Sequence, residues 1–505
     1  MAGGANQATA TADNPKGVGT RHNAVARYHD DRRLWLTATC AVVLLGIVVR
    51  ALVDFSQPYP PGTDAGYYPM QTGALLAKGR LMYDDLPLVF WLDAAIAKLF
   101  ILRGWQLDDA VLIASRVLNC LTQPFVAVSV MALGYSWSAG RRQALPGCAA
   151  AALMVVVSTP TIQLVGFHKT SLGLVWMAWA LWACRSAMQD GGAWRWALLA
   201  AVAVLSALTH VGVFAVTILT LGVALGLWQW LKRDHLTSRR PWLMVGSLMA
   251  ACSALAGLVA YLEPRRARAI LEAPVVFFAT GIFGVGFFLD RRGWLLATSV
   301  LVVLAFGLRR LLRDYAAVGA ADAAVVAAAV VISVFLVLPK NVAYLYRLLL
   351  MAPLPAAFIV AFIMARRAVR ESSKSAGYLL LGLAVVIALV VPATVPPAVI
   401  GEQAGRELRA LQAQVTDPDA TLVVAPHGLE WFAGYFLHTP VRMSGYGPLR
   451  RADLPADVFR RYRRVLLVRF RSRTPVGVGS AGLTMRRIHL GVAFEAFEVS
   501  QPPAL

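Results

Sequence analysis

Apolar runs of about 20 residues recur along most of this chain, separated by short segments in which arginine and lysine collect. At 1.5 Å per residue, a run of that length makes a helix that crosses the ~30 Å hydrocarbon core of a bilayer. The pattern therefore predicts a mostly α, polytopic helical membrane protein. The expected spans lie near 35–53, 111–137, 143–163, 170–184, 192–208, 211–230, 241–261, 293–308, 321–338, 342–364 and 377–397, about eleven in all. Two further apolar stretches, 87–102 and 273–289, are short for spans and are expected to lie on or dip into the outer face. Past Pro397 the pattern changes. A charged helical stretch (GEQAGRELRALQAQV), a short strand (ATLVVAP), an amphipathic stretch (HGLEWFAGYFLH) and a second strand (RRVLLVRF) follow one another. Strands alternating with helices predict a small α/β domain. The expected organisation is a disordered cytoplasmic tail over 1–34, a membrane domain over 35–398 with a first outer loop over 54–110, and an outer-face α/β domain over 399–505.

Charge sets the expected orientation. Basic residues collect on the cytoplasmic side of membrane proteins. Arg21, Arg27, Arg32 and Arg33 place the N-terminus inside, and the clusters at Arg141–Arg142, Lys232–Arg240, Arg309–Arg313 and Arg366–Lys374 fit the same side. An odd number of spans then puts the C-terminus outside. The composition agrees with the class: 58% hydrophobic, 15% charged, mean hydropathy +0.62. A net charge of +21 would point to nucleic acid in a soluble protein; here the cations lie between apolar runs and read as topology signals and contacts to anionic lipid. The five cysteines sit within or beside apolar runs without paired spacing and read as packing residues. No glycine-rich phosphate loop is evident, which argues against a nucleotide-driven engine.

On this topology, polar residues from distant parts of the chain share the outer face. The segment PYPPGTDAGYYPMQTGALLAKGR carries Asp64, Tyr67, Tyr68, Lys78 and Arg80, with Tyr83, Asp84 and Asp85 next to it. His168 and Lys169 start the fourth span, and His210 occupies a tight turn. Arg265, Arg266 and Arg268 lie in a later loop, and Lys340, Tyr344 and Arg347 at the end of a late span. Ionisable groups at membrane depth are costly and usually functional. Each also has a plainer role. Asp64 can cap a helix starting at Ala65; Asp84 and Asp85 can form a solvated turn. The tyrosines can anchor the interface, the two histidines can pack in hydrogen-bonded sites, and Arg265, Arg266 and Arg268 can meet lipid headgroups. Arg347 lies within an apolar span, where a guanidinium calls for a phosphate or carboxylate partner.

These segments resemble the GT-C superfamily of membrane glycosyltransferases. The helix YYPMQTGALLAKGR after an outer-loop acid, then LPLVFWLDAAIAKLF, then ASRVLNCLTQPFVAVSVMALGYSWSAGRR, is similar to the branch containing protein O-mannosyltransferases and the aminoarabinose transferase of lipid A. AYLYRLLLMAPLPAAFI resembles the late span of that branch, with Arg347 near a tyrosine, and Arg116 matches an arginine that commonly opens the span after the first loop. The resemblance covers residues 35–365. It implies two membrane-parallel helices in the first outer loop, an essential acid at Asp64, and transfer of a sugar from a polyprenyl-phosphate carrier to a glycan, lipid or protein acceptor. In that reading Asp64 is the base of a direct displacement. Arg347, Arg265, Arg266, Lys340 and Lys169 bind the donor phosphate, and Tyr67, Tyr68, Asp84, Asp85, Tyr344, His168 and His210 bind substrate. No cofactor is implied; Asp64 with Asp84 or Asp85 could hold a divalent cation, though the branch implies none. The implied location is a bacterial inner membrane, with membrane lipids as further partners and the C-terminal domain periplasmic. Two departures stand out: Ala65 replaces the second acid common in the family, and the basic, proline-rich stretch before the second loop helix is reduced to DDLPLVFW. An O-antigen ligase or polymerase, a lipid or glycan transporter, and a non-catalytic scaffold are the alternatives. The acidic first loop speaks against the first, and the lack of an internal repeat against the second.

Overall fold

The computed structural model describes residues 17–232, 257, 291–314, 318–337, 345–371, 375–390, 397–444, 454–471 and 483–500. Helix α1 (Gly17–Asp54) extends back into the stretch expected to be disordered. It turns Leu36, Leu44, Val48 and Leu52 outward and Trp35, Val42, Val49 and Val53 inward, spacings of seven, eight and four that define two opposite helix faces. Helices α2 (Tyr67–Lys78) and α3 (Leu88–Ile101) form the first outer loop. α4 (Leu107–Thr122) and α5 (Val126–Trp137) run on as one rod through a 3₁₀ turn at Gln123–Phe125, where Pro124 cannot donate to the α-helical ladder. α6 (Leu145–Val157) ends before Pro160, and the short α7 (Thr159–Gln163) follows. Then come α8 (His168–Asp190), α9 (Ala193–Thr209), α10 (Val211–Leu231), α11 (Arg291–Asp314), α12 (Ala320–Val337), α13 (Leu345–Met351), α14 (Pro353–Glu371) and α15 (Ser375–Val390).

α6 lies at the centre of the bundle, packed by α1, α5, α14 and α15. Its run of alanines lets neighbours come close: a Cβ on Gly147 would sit 2.7 Å from Met364, and one on Gly377 would sit 2.9 Å from the Gly147 nitrogen. Among the described residues, six helices are long and apolar enough to cross a membrane: Asp30–Asp54, Leu107–Trp137, Arg142–Gly166, Val211–Leu231, Ala320–Val337 and Arg347–Arg370. Ala193–Thr209 and Ser375–Val390 are shorter apolar helices. The protein is thus an integral membrane protein. Of the eleven expected spans, 241–261 lies outside the described residues except at 257; the interfacial stretch 273–289 lies wholly outside them. α8 is long enough but too polar along its length to count. The span expected over 342–364 is interrupted at Ala352, where Pro353 starts a new helix. α3, at 14 residues, reaches only about 21 Å and leaves Trp91, Leu99 and Leu102 exposed.

The C-terminal unit is α/β. Helix α16 (Glu402–Gln412) precedes β1 (Thr421–Pro426), α17 (Leu429–Leu437), β2 (Val441–Ser444), α18 (Ala456–Arg461), β3 (Arg464–Phe470), β4 (Thr484–Leu490) and β5 (Phe494–Ser500). The strands form one sheet in the order β2-β1-β3-β5-β4; β1 is parallel to β2 and β3, and β5 is antiparallel to β3 and β4. One side of the sheet, with α16 and α17, shares a core with the first outer loop: Phe432, Phe436 and Leu466 pack with Tyr59, Ala65, Met70 and Val111. The first loop therefore sits between the membrane helices and the α/β unit.

Candidate active site

The loop from α1 to α2 carries Asp64, and it is fixed from below by a buried polar network. Arg50, fully buried, donates to the Thr161 carbonyl (3.0 Å), Asn119 Oδ1 (3.1 Å) and Ser171 Oγ (3.3 Å). Asn119 Nδ2 donates to Asp54 Oδ2 at 2.9 Å. Arg116 pairs with Asp54 and donates to the carbonyls of Asp54, Gln57 (2.8 Å) and Pro58 (3.0 Å). Charged groups this deep are tolerated because they neutralise and hydrogen-bond one another. Further along, Gly62 has φ +100° and lies so close to Gly166 that a Cβ would fall 2.6 Å from its Cα. Only glycine meets both demands. Gly66 abuts the Phe432 backbone nitrogen in α17 in the same way, at 2.9 Å.

Asp64 is not the helix cap. The N-cap of α2 is Gly66, without a side-chain hydrogen bond, and only the Asp64 carbonyl serves that turn, accepting from the Tyr67 N–H at 3.0 Å. Its carboxylate instead meets Arg347, whose guanidinium donates to Oδ2 at 2.6 Å. Arg347 also lies over the Phe167 ring at 4.3 Å, so a planar cation is held between an aromatic face and an acid. This gives Arg347 the carboxylate partner that its place in an apolar span demands.

The neighbouring acids divide. Asp84 is exposed, as a turn residue would be. The Asp85 carboxylate is buried and forms an ion pair with Lys169; it also accepts from the Tyr67 hydroxyl at 2.5 Å and the Leu86 N–H at 2.7 Å. Asp85 is therefore no solvated turn residue, and Lys169 is committed to a protein carboxylate. Gln71 bridges Tyr67 and the Tyr83 backbone. Tyr68 is buried, stacked on the His168 ring at 4.0 Å, with its hydroxyl accepting from the Lys169 N–H at 3.3 Å; burial holds the phenol well above its ordinary pKa. It is a core residue rather than an interface anchor. His168 Nδ1 lies 3.3 Å from Ser115 Oγ. His210 caps α10, its Nδ1 accepting from the Val213 N–H at 3.2 Å. Arg265, Arg266, Lys340 and Tyr344 lie outside the described residues.

The largest addition comes from the α/β unit. His427, in the turn from β1 to α17, places Nε2 3.9 Å from Asp64 Oδ1 and Nδ1 3.0 Å from Glu430 Oε1. Glu430 is buried, and that burial raises its carboxyl pKa, partly offset by His427. Trp431 stands edge-on to Tyr67 at 4.9 Å. Sequence reasoning read HGLEWF only as an amphipathic stretch. The usable signal was a His and a Glu three apart at the carboxyl end of a parallel strand, where α/β sheets gather their sites. A cleft of about 660 Å³, lined by Lys78, Arg80, Asp84, Asp85, Asp419 and Arg461 among others, opens between the first loop and the α/β unit; Asp64, Arg347, His427 and Glu430 are not among its lining residues. Among the described residues no group of three or more His, Cys, Asp or Glu side chains is placed to hold a metal ion.

Solved structures share this architecture. ArnT from Cupriavidus metallidurans in the apo state matches over 92% of this chain and 98% of its own, with a TM-score of 0.56 and 16% identity. The oligosaccharyltransferase AglB from Archaeoglobus fulgidus, in complex with an inhibitory peptide and a dolichol-phosphate, matches over 87% of this chain and 69% of its own, with a TM-score of 0.57 and 11% identity. The chain has the GT-C fold. The mycobacterial arabinofuranosyltransferase AftD shares the GT-C architecture at a TM-score of 0.50 and 16% identity, and this chain spans 40% of its length. No family model matches the sequence, and no curated protein does. At these identities the likeness is one of fold alone.

Proposed function

We propose that this protein is a glycosyltransferase that moves a sugar from a polyprenyl-phosphate carrier to an acceptor hydroxyl at the outer membrane face. The observation that carries this reading is the Asp64–Arg347 pair, 2.6 Å apart, where the membrane helices meet the α/β unit. Asp64 takes the proton of the acceptor hydroxyl as its oxygen attacks the anomeric carbon. The bond to the carrier phosphate breaks, its electrons leave with the phosphate, and the configuration at carbon inverts. Arg347 has five N–H donors in a planar fork, enough to meet the phosphate while touching Asp64, so it stabilises charge as the leaving group forms. Arg265, Arg266 and Lys340 are retained as further phosphate cations, and Tyr344 as a substrate contact. Lys169 acts one step back, through Asp85 and Tyr67. The cleft between the first loop and the α/β unit, with cations and acids on its walls, is of a size and polarity suited to a sugar-bearing acceptor. The setting is the periplasmic face of a bacterial inner membrane. Mass spectrometry of envelope glycans tests the proposal. Cells lacking the protein should lose one defined sugar, restored by the wild-type gene and not by Asp64→Asn; an unchanged glycan profile would overturn it.

A further inference from the structure

The turn that carries His427 is built to meet the Asp64 loop. Gly428 has φ +92°, and a Cβ there would stand 3.1 Å from Val399 Cγ2 and 3.5 Å from the Thr63 carbonyl, the residue before Asp64. Only glycine combines that backbone with that approach. The result is a three-residue line from solvent-shielded to open: Glu430, its side chain 1% exposed; His427, 38%; and Asp64, 17%, on the far side. A carboxylate 3.0 Å from Nδ1 accepts the N–H there, which fixes the tautomer and leaves the Nε2 lone pair facing Asp64.

We infer that His427, oriented by Glu430, is the proton outlet for Asp64. This rests on Asp64 being the base. After the transfer step Asp64 holds the acceptor's proton as a carboxylic acid. Once the 3.9 Å between them closes to hydrogen-bond distance, the proton passes from Oδ1 to His427 Nε2, giving an imidazolium beside the Glu430 carboxylate and returning Asp64 to its charged form beside Arg347. The imidazolium then releases the proton to water at its exposed edge, and both groups are reset. His427 acts through Asp64, so it is a positioning and relay residue. Among the described residues the charged groups that face it are Asp64 from the first loop and Glu430 from α17, with Arg347 behind Asp64.

Two readouts test it. With histidines labelled by ¹³C and ¹⁵N and the full chain in nanodiscs, His427 is assigned by its loss in His427→Gln and titrated by NMR. Its midpoint should fall by about 1 in Asp64→Asn and again in Glu430→Gln, since each removes a negative charge that favours the imidazolium. An unmoved midpoint in Asp64→Asn overturns the coupling. In cells, His427→Ala should restore the envelope sugar at least tenfold more slowly than wild type, and imidazole in the medium should recover part of that rate. Wild-type rate in this variant, or a loss that imidazole leaves unchanged, overturns the outlet. The titration holds whatever the reaction is, so coupling without any lost sugar would sink the glycosyltransferase reading alone. A sugar transferred by a protein whose His427 ignores Asp64 would sink the relay alone.

Discussion

At the scale of single residues, the site depends on which cation faces which acid. Arg347 touches Asp64 through one nitrogen and an aromatic ring through its face, an arrangement a lysine cannot copy. Arg347→Lys is therefore expected to lower kcat about a hundredfold, with thermal stability within about 1 kcal/mol of wild type because the pair is partly exposed; steady-state rates and melting curves check both. Arg347 stands out in the sequence because it is a charge inside an apolar run, where hydropathy demands a partner, and Asp64 because it is the acid of the segment that leaves the first span. That argument finds groups that pay a membrane penalty. It is blind to His427 and Glu430, which lie in a water-facing unit where a charged residue is ordinary. It also misplaces Tyr68 and Lys169, since an outer-loop tyrosine reads as an anchor until His168 is seen stacked beneath it.

At the scale of elements, tight turns deliver the side chains. Gly428→Ala forces a Cβ into a left-handed backbone beside Val399, which costs about 1–2 kcal/mol and displaces His427. The expected outcome is a lowered melting temperature together with a His427 NMR signal that no longer responds to Asp64→Asn. The β4–β5 turn is held from α16. Glu407 accepts from the backbone N–H groups of Val492 (2.8 Å), Ala493 (3.1 Å) and Phe494 (3.3 Å), and a Cβ on Gly491 would fall 2.0 Å from its Oε2. Burial alone would raise this carboxyl; the hydrogen bonds from Gln403 and the three N–H groups outweigh it and hold the pKa below the ordinary value. A depressed folded-state pKa gives stability that is present above the unfolded carboxylate pKa and is lost as pH falls through the folded one. Glu407→Gln should thus destabilise the α/β unit by about 1–3 kcal/mol at neutral pH, with the gap closing below about pH 4 in thermal melts. The pattern predicts β1, β3 and α17 between them because they are apolar or periodic, and gives no sign of α18 or β5. It misses β2, which is four residues long, and β4, an edge strand reading TMRRIHL whose residues face water on most sides.

At the scale of the whole molecule, the membrane bundle and the α/β unit meet through the first outer loop. Tyr83 links them twice: its hydroxyl donates to the Val441 carbonyl (2.8 Å) and accepts from the Val441 N–H (2.5 Å), and burial pushes its pKa up to about 12, so it stays protonated. Tyr83→Phe leaves both backbone groups without that partner and should cost about 1–3 kcal/mol, read as earlier melting and faster proteolysis of the α/β unit. The rim pairs Arg409–Asp109 and His438–Asp108 are exposed and add little. The helical class and the α/β appendage follow from hydropathy; how closely the two units clasp the same loop does not, because no local pattern encodes a contact between residues hundreds apart. That separation bears on how the protein is made. Asp64 leaves the ribosome first of the three, Arg347 follows 283 residues later, and His427 later still. A nascent chain therefore threads the helices between Asp64 and Arg347 into the bilayer before its chemistry exists, and the α/β unit that follows them completes it.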